Sequence, residues 1–222
     1  MASNQVKATN IFMSSLQKYV TASMLLGFAI VLELLYNQLG IAKISGNIGS
    51  WFKIALVPLI LIGFLLGLKY SVIFCFLYAC FHLSKALFFR NLIGYMESMN
   101  FNLFHIIATV FLDYLLVDIT YSLSGLFYKP NLEHITHYKK IWTQIILIFS
   151  VVLVFKFISS RFIWFETIKN NSKYVTFLPI PLDNPNLWCL AFNIIPVCIN
   201  LLIVGFLLCF LNPRIKIYLQ NK

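Results

Sequence analysis

Asp113 and Tyr114 stand in a run, Phe111 to Phe127, that is apolar enough to lie in a bilayer yet also carries Asp118, Tyr121, Thr120, Ser122 and Ser124. On an ideal helix Asp113, Val117, Thr120 and Ser124 share one face, and Tyr114, Asp118, Tyr121 and Gly125 share the neighbouring face. A carboxylate in hydrocarbon is costly, so it faces a cavity or a partner and marks a functional site. Two roles follow for Asp113. It binds the positive charge or N–H donors of a ligand, or it pairs with a basic residue on another span. Lys156 is the deepest basic candidate for that pairing, because an unpaired ammonium at that depth needs a neutralising neighbour. Trp164 and Trp188 supply flat apolar surfaces, Asn193 an amide, and Tyr114 both ring and hydroxyl.

The elements that must position these groups are membrane helices. The 222-residue chain is 60% hydrophobic and 11% charged, with a mean hydropathy of +0.85, whereas soluble domains carry about 25% charged residues. Six apolar runs of spanning length fall near residues 19–36, 51–68, 70–89, 101–127, 142–165 and 188–211. The expected fold is an all-α, six-helix membrane bundle over residues 19–212. A cytoplasmic or interfacial segment (1–18) precedes it and a basic cytoplasmic tail (213–222) follows. Pro58 falls inside the second run, where neighbouring helices repair the lost hydrogen bond.

The net charge of +10 is a topological signal and does not call for nucleic acid. With both termini cytoplasmic, the inner segments hold Lys7, Lys18, Lys69, Lys129, Lys139, Lys140, Arg214, Lys216 and Lys222. The outer loops hold only Lys43, Arg90, Lys169 and Lys173. The expected location is therefore the cell membrane, with lipids around a multi-pass protein. Glu33 lies near the outer end of its span, where it can reach headgroups. The five cysteines read as small core residues. Glu133, His134 and His137 match no metal motif, and a solvated loop is the expected role for them. No metal or cofactor is called for. The proline-bearing loop 166–187 is either a lid or a simple connector. Ser23 and Gly27 form a small-xxx-small pair that lets a second helix approach closely.

Four stretches, taken in order, resemble the thiamine-specific S component of energy-coupling factor (ECF) transporters, the substrate-binding subunit. An acid–Tyr pair opening a helix that ends in a small-residue Gly-Leu-Phe pattern is matched by Asp113-Tyr114 and Ser124-Gly125-Leu126-Phe127. A His-Phe-Ile-small-small segment with a Trp eight residues after the His is matched by Lys156-Phe157-Ile158-Ser159-Ser160 and Trp164. An aromatic followed by Leu-Ala and Asn is matched by Trp188, Leu190-Ala191 and Asn193. An Ile-Pro-Ile run followed by Arg-Arg-Gly is matched only loosely, by Val57-Pro58-Leu59 and Gly67-Leu68-Lys69.

The resemblance implies a vitamin pocket near the outer surface, built from Asp113, Tyr114, Lys156, Trp164, Trp188 and Asn193. It also implies docking onto a transmembrane T subunit, coupled to two cytosolic ATPases, through Ser23 and Gly27 in place of the family's two alanines. The chain carries no Walker motif, as expected if ATP is hydrolysed elsewhere. Lys156 replaces the family's His, and Trp188 its Tyr. A lysine does not suit bare thiamine, a cation, but it suits a derivative with an anionic tail. The function expected is non-enzymatic capture of thiamine or a close derivative, phosphorylated forms included, for ATP-driven uptake. A different vitamin, a structural or assembly role, and a membrane enzyme are the alternatives.

Overall fold

The computed structural model describes residues 13–39, 52–89, 91–130, 137–170 and 182–220, and every regular element among them is helical. Helix α1 is Ser15–Leu39, α2 Leu56–Leu66, α3 Leu68–Phe89 and α4 Leu92–Ser98. Helix α5 covers Leu103–Phe127, α6 begins at Tyr138 and continues to Lys169, and α7 is Pro185–Gln220. Five of these, α1, α3, α5, α6 and α7, are long and apolar enough to cross a membrane. The protein is thus a helical bundle of membrane type.

Side-chain contacts fix the directions of the helices. Tyr19 meets Tyr70, with ring centroids 5.1 Å apart, near the starts of α1 and α3, and Glu33 pairs with Lys85 near their ends, so the two run parallel. Helix α5 runs against α3, since Asp118 bonds to His82 and Gly125 lies against Leu68. The Trp164–Asp113 and Tyr121–Phe149 contacts set α6 against α5. The Asn193–Ser160 bond and the Trp142–Phe206 contact set α7 against α6. The start of α1 and the end of α7 therefore lie at one end of the bundle, opposite α4.

The second run differs from the expected span. It forms an 11-residue helix, about 16 Å long at 1.5 Å per residue. All of it except Leu65 is buried. A helix apolar on every side belongs in a core, and α1, α3, α5 and α7 all touch it. Pro58 stands in its first turn, where its missing N–H has no intrahelical partner to lose. Gly63 is indispensable to this packing: a Cβ there would lie 2.0 Å from Ser124 Oγ and 2.5 Å from the Gly125 amide nitrogen. Gly67, at φ +89, turns α2 directly into α3.

Three other boundaries shift. The expected loop 91–100 contains α4, which buries Leu92 and Met96 one turn apart between Asn91 and Asn100, both at positive φ. The sixth span begins at Pro185, and its helix absorbs most of the expected basic tail, to Gln220. Ser15–Lys18 already belong to α1. Glu133 and His134 lie outside the described residues, as does 171–181 of the expected lid.

Candidate functional site

The site forms where α5 and α6 both depart from ideal α-helix. In α5, Val110–Leu116 is π-helical, followed by one α turn and a 3-10 segment, Tyr121–Phe127. In α6, Ser160–Trp164 is π-helical. Such π segments widen the turn and frequently occur at functional sites. One hydrogen bond joins the two: the Trp164 indole N–H donates to Asp113 Oδ2 at 2.9 Å. The faces expected from 3.6-residue periodicity do not survive this change of pitch. Asp113 and Tyr114 are only partly buried, while Asp118, Thr120, Tyr121, Ser122, Ser124 and Gly125 are all buried.

Lys156 sits one helical turn before the α6 π segment, within electrostatic range of Asp113. It forms no hydrogen bond or ion pair among the described residues, so the direct Asp113–Lys156 pairing is not made. Tyr114 packs on His82 instead, with ring centroids 5.0 Å apart.

Trp188 and Asn193 occupy the seam between α6 and α7. Trp188 is fully buried, stacked on Phe192 at 5.2 Å and edge-on to Phe165. Its indole N–H has no partner among the described residues. Asn193 donates to Ser160 Oγ at 2.7 Å and to the Cys189 carbonyl at 2.8 Å. Trp164 packs against both the Trp188 cluster and the Tyr114 cluster and so connects the seam to Asp113. Arg161 lies apart, donating to Asn186 Oδ1 at 2.9 Å.

Behind Asp113 the bundle holds charges that the helix pattern did not mark as a site. Asp118, fully buried, bonds through Oδ2 to His82 Nδ1 at 2.7 Å. Lys53 Nζ lies 3.4 Å from His82 Nε2. An ammonium can only donate, so Nε2 accepts and the ring proton resides on Nδ1, directed at Asp118. The Lys53 backbone N–H donates to Asn200 Oδ1 at 2.6 Å. Glu33 corrects its expected place at the headgroups: it is buried and paired with Lys85 and Asn37. The signal for it was present in α1, where the buried stripe is Ala22, Ala29 and Glu33. Small residues on a membrane helix mark the face that meets protein.

Ser23 and Gly27 lie on the other side of α1, exposed beside Met24, Phe28 and Val31. Nothing lies within 4 Å of a Cβ built on Gly27. An open groove of about 480 Å³ runs along Phe157, Asn184, Asn186, Leu187 and Leu190 and includes none of the expected site residues. No family model matches the sequence, and no curated protein matches it either.

Proposed function

We propose that the chain is the substrate-capturing membrane subunit of an ECF-type transporter, taking thiamine or a close derivative from outside the cell. The observation that carries this reading is that Asp113 is joined across to α6 by the Trp164 indole N–H and not by Lys156, which forms no ion pair among the described residues. A structural pair would close. A carboxyl group beside Tyr114 and Trp164 suits a small ligand with a cationic aromatic ring. The π segments that carry Asp113 and Trp164 support a binding role over simple packing. On this reading α4 faces the outside, both termini face the cytoplasm, and the exposed Ser23–Gly27 face of α1 docks the T subunit that couples to two ATPases.

The test is the ligand that the purified protein releases on denaturation, identified by mass spectrometry, together with a thiamine titration followed by tryptophan fluorescence. Release of a thiamine-type compound, with saturable quenching, supports the reading. Absence of both overturns it.

A further inference from the structure

Lys53 lies in non-helical backbone just before α2, yet it touches His82 inside the spanning helix α3. Irregular backbone at membrane depth needs other groups to satisfy its polar atoms. Here the Lys53 backbone N–H donates to Asn200 Oδ1 on α7 at 2.6 Å, and Asn200 donates in turn to the Pro196 carbonyl at 2.7 Å. The Lys53 ammonium lies 3.4 Å from His82 Nε2, and His82 Nδ1 lies 2.7 Å from Asp118 Oδ2 on α5. One residue thus ties the start of α2 to α3 and α7, and α5 fixes the ring that holds it.

The hold requires an unprotonated Nε2. An imidazolium carries an N–H at both nitrogens, so it cannot accept from Lys53 and sets two cations face to face. Asp118 accepts from Nδ1 in either state, and its Oδ1 is buried without a partner among the described residues. That carboxylate favours a positive ring. The titratable groups that touch His82 or lie within electrostatic range of it are Glu33 on α1, Lys53, Tyr78 and Lys85 on α3, and Asp113, Tyr114 and Asp118 on α5. Helix α2 is apolar throughout, and α7 adds the neutral Asn200 through Lys53. Glu33 is engaged by Lys85, which leaves Lys53 and Asp118 as the charges in direct polar contact with the ring. We propose that His82 and Asp118 form a proton-binding site that operates a latch on the start of α2. With His82 neutral, Lys53 is held and the chain is seated on α3 and α7. A solvent proton taken up on Nε2 repels Lys53 and releases its backbone bond to Asn200. The latch does not depend on what the bundle transports.

Hydrogen exchange at the Lys53 amide tests this, read by fragmentation mass spectrometry on purified full-length protein in detergent. Rates are divided by the intrinsic rate at each pH, between about pH 8 and pH 5, where histidine changes charge. Glutamine keeps an acceptor and a donor but takes no proton. Native and His82→Gln proteins are therefore expected to be equally protected at the upper pH, and native protein to exchange about tenfold faster than His82→Gln at the lower, as for one lost hydrogen bond. Lys53→Met removes the repelled charge and is expected to show the same protection across the range. Should His82→Gln fail to give a single size-exclusion peak, Lys53→Met decides. Identical pH profiles in native and His82→Gln protein, or release at low pH that persists in Lys53→Met, overturns the latch. A rise that spreads equally through α3 and α5 is general loosening and overturns it too.

Discussion

Asp113 Oδ2 accepts the Trp164 indole N–H at 2.9 Å, so Trp164→Phe removes one hydrogen bond to a carboxylate while keeping an aromatic ring. Hydrogen bonds to charged groups contribute about 1.5–3 kcal/mol. The variant is expected to lose about that much stability in detergent, and Asp113→Asn in the same background is expected to add less than it does alone. A double-mutant cycle on thermal or denaturant midpoints checks this, and purely additive effects would remove the bond from the account. The buried Glu33–Lys85 pair makes a sharper case. Removing one partner strands a charge and costs about 3–5 kcal/mol, whereas replacing both with apolar residues of similar size is far milder. Glu33→Gln is therefore expected to unfold well before Glu33→Leu/Lys85→Met, measured by circular dichroism on heating. At this scale the sequence disclosed Asp113, because an acid inside an unbroken apolar run stands out. It did not disclose Lys53, which lies at the start of the 51–68 apolar run and resembles a headgroup anchor. Asp118 was visible but unassigned, since its role depends on His82 of another helix.

The helices show where periodicity is informative and where it fails. The all-helical class and five long spans follow from apolar runs whose length matches the bilayer. The run at 51–68 has the same composition as a span, yet it forms a short helix encased by its neighbours. Composition alone does not separate lipid from protein surroundings, because both are apolar. Nor does it announce a π or 3-10 turn, which depends on what the neighbouring helix presses against it. The glycines distinguish the two environments by experiment. Gly63 faces Ser124 and Gly125 with no room for a methyl group, whereas Gly27 faces open space. Gly63→Ala is expected to destabilise the isolated protein by about 1–3 kcal/mol through overpacking. Gly27→Ala should leave it unchanged or slightly more stable, since alanine is the better helix former. Equal melting temperatures for the two variants would mean that α2 is not packed against α5 at this point.

For the molecule as a whole, the contacts that orient the helices place Lys18, Lys69, Lys129, Lys139, Lys140 and Arg214 toward the end opposite α4. Basic residues accumulate on the cytoplasmic side because membrane insertion retains them there. On the proposed transport function, the α4 end would be the side from which a ligand reaches Asp113. This orientation is open to direct measurement. In a cysteine-free background, cysteine placed at the exposed Glu97 on α4 is expected to react with an impermeant maleimide added to intact cells. Cysteine at the exposed Lys139, at the start of α6, is expected to react only after the membrane is permeabilised. The two positions are separated by the full length of the bundle, so intermediate labelling of both has no place in a single topology. Labelling at Lys139 from outside, with protection at Glu97, would invert the molecule. The Asp113–Lys156 region would then lie toward the cytoplasm, and capture from outside would be excluded whatever the site binds.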